Sequence, residues 1–460
     1  MGSICKCIAQ QPLIVRRLLS IGVLTLSFLV IIVILHQKPS IMDKTIDKTT
    51  DKTIDKTIDK TINKTIDILP RHVTVPPTVE TQNEVTFKNP WRLNEEMANR
   101  LRAKNTNKRL IWPEELPYGD RIMEQILYVP ETYKNETSKL KTILLYNGIG
   151  NDWETPRLNQ GEFLDCPVSR CSLTIDKSLA PTVDAIIFRH HYERPQHKRE
   201  PDQIWIIYYT EAPYSTAYIP ESDRDMFNWT AHYRMDSDIP NPYGYWYEYD
   251  EEEMQKRSPS LSIRNYAQGK TKQVAWFVSN CHANSNRSEY ATELSKYITV
   301  DIYGQCGPLE CPKSDACFKM LETTYKFYLA FENAHCSYYI TEKLFMTSYY
   351  HDVIPIVLGP SKKDYELVAP KNSFIHVDDF ESAQQLAAYL HELDKNDNLY
   401  NEYFKWKGTG EVVLHITNAM FYCRLCAMLH DETHPPKNYV DINEWWRGPG
   451  VCRHYNNIKV

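Results

Sequence analysis

One carboxylate and several cations stand beside strand-like runs in this 460-residue chain, where chemistry could be built. Glu211 follows the apolar run IWIIYY (204–209), within Thr210-Glu211-Ala212-Pro213. Ser279-Asn280-Cys281 and then Arg287 follow VAWFV (274–278). Lys326 opens KFYLAF (326–331), which runs into Glu332-Asn333, and Tyr339-Ile340-Thr341-Glu342-Lys343 opens the next helical pattern. In open α/β sheets ligands bind beyond the carboxyl ends of strands. A carboxylate from one half facing cations from the other suits a sugar nucleotide. Cations and a helix N-terminus hold the diphosphate, and the carboxylate removes a proton from an acceptor hydroxyl. His190 and His191, after DAIIF (184–188), are alternative bases and read equally well as structural strand-end histidines.

No Walker P-loop, GxGxxG or HExxH occurs. Asp223-Arg-Asp225 and Asp236-Ser-Asp238 match a DxD pattern that can hold a divalent metal on a diphosphate, but both lie in turn-like or aromatic-rich sequence. They are read as structural, and no metal ligand is assigned. Cys423-Arg-Leu-Cys426 could be a zinc or redox pair; without a second CxxC, and in an oxidising compartment, disulfide halves are the better reading.

The elements that must position these residues alternate. After VAWFV come a helical pattern over 287–297, the strand ITVDIY (298–303), a cysteine-rich loop over 304–317 and the strand KFYLAF. A helix over 339–350, the strands IPIVLG and FIHV, and a helix over 382–393 complete the series. The last helix has Ser382 and Gln385 in capping-box spacing and an apolar stripe of Ala383, Leu386, Ala387, Leu390 and Leu393. Such alternation implies a parallel doubly wound sheet. TILLY (142–146), DAIIF and IWIIYY repeat the theme in the first half. Two α/β domains facing a cleft are expected.

The rest of the chain sets the compartment. The 18 residues 18–35 carry no charge and follow Lys6, Arg16 and Arg17, while only Lys38 follows closely. That predicts a membrane span with a cytosolic N-terminus; the run exceeds the usual apolar stretch of a cleaved signal peptide. A period-four DKTI repeat over 43–66 cannot bury a core and reads as an extended stem. Ten of the 12 cysteines follow the span, an even number that permits complete pairing. Sequons stand at Asn63, Asn135, Asn228 and Asn286. The expected layout is a cytoplasmic tail (1–17), anchor (18–35), stem (36–90), first α/β domain (91–265), second α/β domain (266–430) and C-terminal tail (431–460). A net charge of -6 gives no support for nucleic-acid binding.

The run FYLAFENAHCSYYITEKLF (327–345), with its F-E-N and Y-x-T-E-K blocks, resembles the signature of the α1,3-fucosyltransferases, glycosyltransferase family 10. FNWTAHYRMDSDIPNPYG (227–244) resembles the first-half motif, and VLGP and FIHVDDF follow in the family's order. The resemblance spans about 142–426. It implies a GT-B fold of two Rossmann-like domains on a single-pass type II anchor, a lumenal catalytic domain in the Golgi membrane, and inverting transfer from GDP-fucose. YGQCGPLECPKSDACF (303–318), the SNC block (279–281) and YFKWKGTGE (403–411) resemble the core α1,3-fucosyltransferases of animals and plants. That subgroup implies the Asn-linked GlcNAc of glycoprotein N-glycans as acceptor. The alternatives are a Lewis-type enzyme acting on antennary N-acetyllactosamine and a membrane-anchored lectin. By resemblance Glu211 is the base; Arg287 and Lys326 neutralise the leaving diphosphate; and Asn333, Tyr339, Glu342, Lys343 and, more weakly, Asn280 contact the donor. No cofactor is required, and a divalent ion such as Mn2+ is expected at most to stimulate by aiding GDP release. The resemblance also suggests disulfides Cys166–Cys423 and Cys171–Cys426. Tyr325 stands where Lewis-type members carry a Cys, so Cys281, Cys306, Cys311, Cys317, Cys336 and Cys452 pair by some other scheme, left open here.

Overall fold

The computed structural model describes residues 109–453 apart from 118–120, 150–155, 258–263, 312–313 and 415–419. The expected anchor, the DKTI stem and Asn63 lie outside the described residues. Among the described residues, no helix is long and apolar enough to cross a membrane.

Two parallel sheets carry the fold. The first contains β1 (Lys141–Leu145), β2 (Cys171–Thr174), β3 (Ala185–Arg189), β4 (Ile204–Tyr209), β5 (Trp229–His232) and β6 (Ile239–Pro240), in the order β2-β1-β3-β4-β5-β6. A strand β7 (Gly244–Glu248) leaves this sheet. The second contains β8 (Lys272–Phe277), β9 (Val300–Tyr303), β10 (Tyr325–Phe331), β11 (Ile354–Leu358) and β12 (Ile375–His376), in the order β12-β11-β10-β8-β9. A last strand, β13 (Gly410–Leu414), pairs antiparallel with β7 and ties the two halves by backbone hydrogen bonds.

The apolar runs become central strands because both faces are covered. All seven residues of β10 are buried. Phe327, Leu329 and Phe331 pack with the helices Arg287–Leu294 and Ala383–Lys395 on one face, while Tyr328 and Ala330 meet Leu344, Phe345 and Tyr349 on the other. The expected stripe of the helix Ala383–Lys395 is buried in full. Ser382 caps it by accepting from the Gln385 amide at 3.2 Å, whereas Gln385 Oε1 accepts from Glu381 N rather than completing the box on Ser382.

The structure redraws one boundary. Helix Phe421–Leu429, expected in the second half, packs on β1, β3 and β4 of the first sheet, with Phe421, Leu425 and Cys426 buried there. The segment after it is no loose tail: helix Ile442–Arg447 covers the other face of the same sheet beside Tyr209 and Tyr233. The cysteines explain why. Cys166–Cys423 and Cys171–Cys426 form as expected and staple that helix to the first half. Their halves stand 257 and 255 residues apart. The remaining six pair as Cys281–Cys306, Cys311–Cys317 and Cys336–Cys452. Cys423 and Cys426 are therefore no zinc or redox pair.

Chain-entropy arguments give up to ~5 kcal/mol for a bridge closing so long a loop. The two bridges run side by side and either alone still closes the long loop, so the variant with Cys166, Cys171, Cys423 and Cys426 all changed to serine is expected to unfold at a Tm lower by about 5 °C or more in scanning calorimetry. A Tm within 2 °C of the parent overturns the assignment of that staple as a stabilising one.

Candidate active site

In the second sheet β8 and β10 are neighbours, while the chain leaves β8 toward β9 and β10 toward β11. The crevice beyond their carboxyl ends is the switch point at which such sheets bind ligands. Two loops line it. One runs from β8 through Asn280, pinned by Cys281–Cys306, into the helix Arg287–Leu294. The other is the stretch after β10. They are stitched by Ser285, whose hydroxyl donates to the Glu332 carbonyl at 2.7 Å, and by Arg287. The Arg287 guanidinium turns inward, donating to the carbonyls of Phe331 (2.9 Å) and Asn280 (2.8 Å) and lying over the Trp276 ring. The residue is 3% exposed. Burial pushes its guanidinium down and Glu332 opposes that; an arginine stays charged regardless.

Glu332, at the end of β10, is fully buried. Its carboxylate accepts from the Thr341 amide (2.8 Å), from the Thr341 hydroxyl and from Lys343 Nζ at 3.0 Å. Burial pushes its carboxyl above the usual range, and Lys343 only partly pulls it back. Burial would lower Lys343, but Glu332 and Glu342 outweigh it and raise the ammonium. Glu342 stands 3.4 Å from Lys343 Nζ and is half-exposed. Burial pushes Glu342 up, while Lys343 and hydrogen bonds outweigh that and hold it low. A cation flanked by two carboxylates thus sits beside Arg287 at the crevice. Asn333 is half-buried next to Glu332, and Asn280 is exposed on the opposite loop.

The first half contributes Glu211, exposed just beyond β4. Tyr339, 1% exposed, crosses from the second half and donates its hydroxyl to Glu211 Oε2 at 3.0 Å. Burial, then Tyr243 and Glu211, push the Tyr339 phenol well above its usual range, so it remains a donor. Tyr233 packs 5.1 Å from the Tyr339 ring, and Tyr243 donates to the Thr210 carbonyl at 2.9 Å. A carboxylate of the first half and the group Arg287, Glu342 and Lys343 of the second thus stand on either side of a tyrosine cluster, an arrangement that can accept a proton on one side and hold an anion on the other.

Comparisons with known proteins decide the family. Residues 138–244 match the family described as "Fucosyltransferase, N-terminal", and 267–445 match "Glycosyltransferase family 10 (fucosyltransferase) C-term". The chain belongs to the family 10 fucosyltransferases. It is 47% identical to the Glycoprotein 3-alpha-L-fucosyltransferase A of Drosophila melanogaster, over 79% of this chain and 72% of that one. It is 38% identical to the human 4-galactosyl-N-acetylglucosaminide 3-alpha-L-fucosyltransferase FUT6, over 57% of this chain and 72% of that one. A solved structure titled "Crystal Structure of alpha1,3-Fucosyltransferase" aligns with TM-score 0.40 and 14% identity, over 66% of this chain and 93% of that one.

Within this fucosyltransferase Glu211, Tyr339, Glu342, Lys343, Arg287 and Asn280 gather at one crevice. Lys326 does not. It is the second residue of β10, five residues before Phe331, so it lies about 16 Å from the strand's carboxyl end at ~3.3 Å per residue. There its Nζ pairs with Asp394 Oδ1 at 2.9 Å and donates to the Asp394 carbonyl, fastening the C-terminal turn of helix Ala383–Lys395. Cations belong at helix C-termini. The end of the strand instead brings Lys343 to the site, together with Glu332 and Thr341, which sequence reasoning left unassigned. The signal was available: Glu332 is a charge directly after the apolar run 327–331 and needs a buried partner.

The DxD carboxylates are engaged elsewhere. Asp236 pairs twice with Arg234, at 2.9 and 2.6 Å. Buried Asp238 accepts from Thr230 and Tyr439 and pairs with Lys437. Asp223 is buried against Arg194 and Tyr192, and exposed Asp225 lies within electrostatic reach of Arg199. His191 faces the Asn147 amide at 2.9 Å, and His190 takes a left-handed turn at φ 63°. The sequons separate too. Asn135 and Asn286 are exposed, but Asn228 is buried: it accepts from Trp205 N and donates to the Lys437 carbonyl. That amide has no room for a glycan, so the sequon at Asn228 is not an acceptor in the folded chain.

Lys326 and Lys343 are separable by experiment. Lys343→Ala is expected to lower kcat by about 10²–10³ fold, as loss of an electrostatic stabiliser does. Lys326→Ala is expected to cost about 1–3 kcal/mol of stability by stranding Asp394, with kcat per folded molecule within threefold of the parent. Urea melts and initial rates on both variants check this; a reversed pattern overturns the reassignment.

Proposed function

We propose that this chain is an inverting α1,3-fucosyltransferase of GT-B type, moving L-fucose from GDP-β-L-fucose to the 3-hydroxyl of the Asn-linked GlcNAc of glycoprotein N-glycans. The observation that carries the reading is Glu211, held at 3.0 Å by Tyr339 and facing the cations Arg287 and Lys343 across the crevice. Glu211 takes the proton of the acceptor 3-hydroxyl as its oxygen attacks C1 of fucose. The C1–O bond to the β-phosphate breaks, and its electron pair leaves on GDP. Lys343 and the Arg287-braced loops stabilise that charge. Attack from the face opposite GDP turns the β-linked donor into an α-linked product.

Two observations favour the N-glycan core over an antennary acceptor. The three-cysteine insert is locked by Cys281–Cys306 and Cys311–Cys317 beside the donor loop. Identity is also higher to the relative named for glycoprotein 3-α-L-fucosylation, 47% against 38%. The catalytic domain works in the Golgi lumen behind a single-pass type II anchor, in keeping with five disulfides. No metal is required, because the charge that a metal would supply comes from side chains, and Asp223, Asp236 and Asp238 of the DxD patterns are already paired.

Glu211→Gln is expected to lower single-turnover transfer by at least ~10² fold, the usual scale for general-base loss, with GDP-fucose affinity within threefold of the parent. Mass spectrometry on a defined panel is expected to place the new fucose on the Asn-linked GlcNAc. Near-parental transfer by Glu211→Gln moves the base elsewhere, and product only on N-acetyllactosamine makes the enzyme Lewis-type. Turnover is expected to persist in excess chelator; complete loss restored by Mn2+ alone overturns the metal-free mechanism.

A further inference from the structure

The loop that follows Glu211 presents aromatic surface to solvent on an unusually firm mount. Tyr218 is 73% exposed and Tyr214 is 38% exposed. Single exposed apolar groups need no explanation, but this loop is clamped. Arg447, from the helix Ile442–Arg447, donates to the carbonyls of Pro213, Thr216 (2.6 Å) and Ala217 (2.8 Å) and lies over the Tyr218 ring at 4.3 Å. Asn443 of the same helix closes a two-way hydrogen bond with the Ile219 backbone, at 3.0 and 2.8 Å. One face of the Tyr218 ring therefore rests on a guanidinium and the other is left to solvent.

We propose that Tyr218, supported by Tyr214, is an acceptor subsite that stacks on a sugar neighbouring the one that receives fucose. This rests on the function proposed above, because it takes Glu211 as the base. Tyr214 is three residues from Glu211, hence within about 11 Å along the chain, and Tyr218 follows one short turn later. The acceptor hydroxyl must reach Glu211, so the rest of the acceptor passes over this loop. The ligand chemistry is the C–H face of a pyranose. A preformed ring binds it without paying to order a flexible side chain. The donor has no reason to reach this loop, since the cations that hold its diphosphate lie in the other half.

The test uses the whole enzyme and two acceptors that differ only beyond the reacting GlcNAc: a glycopeptide with the full N-glycan core and one trimmed to the reacting sugar. Tyr218→Ala is expected to raise KM for the full acceptor about tenfold. The KM for GDP-fucose and turnover of the trimmed acceptor should stay within twofold of the parent, and the Tm within 2 °C. Tyr218→Phe, which keeps the ring, is expected to restore parental KM. Equal loss on both acceptors, an unchanged KM for the full acceptor, or failure of the Phe variant to restore it each overturns the subsite. Parental enzyme that transfers to neither these glycopeptides nor N-acetyllactosamine overturns the proposed function instead. Transfer to N-acetyllactosamine alone moves the same comparison to that disaccharide against GlcNAc.

Discussion

A carboxylate with no access to water governs the site. Glu332 ends an apolar strand inside the protein, and an unpaired charge there would be costly. The chain answers by folding residues 333–343 back over it, so that the Thr341 amide, the Thr341 hydroxyl and Lys343 converge on one group. Three consequences follow from that one demand. Lys343 is fixed at the crevice and holds a raised pKa. Tyr339, two residues before Thr341, is thrown across to Glu211. The regular helix is delayed: instead of beginning at Tyr339, the chain enters a π-helix only at Lys343–Tyr349, and π-helical turns are a recurrent mark of functional sites.

The same reasoning explains which parts of the fold were legible in the sequence. Strands buried on both faces read as unbroken apolar runs, and β1, β3, β4, β8, β10 and β11 were found within a residue or two. β2, β5 and β6 carry polar residues or span two to four positions, and β7 and β13 pair across more than 160 residues, so no local pattern announces them. Helix Asp315–Thr324 hides behind two cysteines read as loop. Local periodicity shows that the helix Phe421–Leu429 has an apolar face but not which sheet receives it. The disulfide partners carried that information, and they were reached through resemblance, not spacing.

Site residues divided along a similar line. Residues after a strand's carboxyl end were found because topology alone places them. Lys326 was misassigned because it matched the needed charge while standing at the strand's amino end, where the sheet offers no crevice. Its true work, holding the last turn of helix Ala383–Lys395, is tertiary and depends on Asp394 and Tyr400, whose hydroxyl donates to the Lys326 carbonyl at 2.8 Å. Asn228 shows the reverse error. The sequon is local, but whether the amide is free depends on Trp205 and Lys437, which lie far along the chain.

The reaction asks two halves to meet without fusing. In the proposed reaction the base Glu211 sits beyond the first sheet and the cations Arg287 and Lys343 beyond the second, so their separation must be held. The C-terminal segment satisfies that demand. After β13 it crosses back, is stapled to the first sheet by two disulfides, and runs along the loop beyond Glu211 through Asn443, Trp446 and Arg447. It then ends in a bond from Cys452 to Cys336, inside the loop that covers Glu332. One strap therefore fixes the mount of the base at one end and the donor loop at the other. Because three of its fixings are disulfides packed in the interior, the separation of Glu211 and Lys343 is held by the scaffold and not by either substrate.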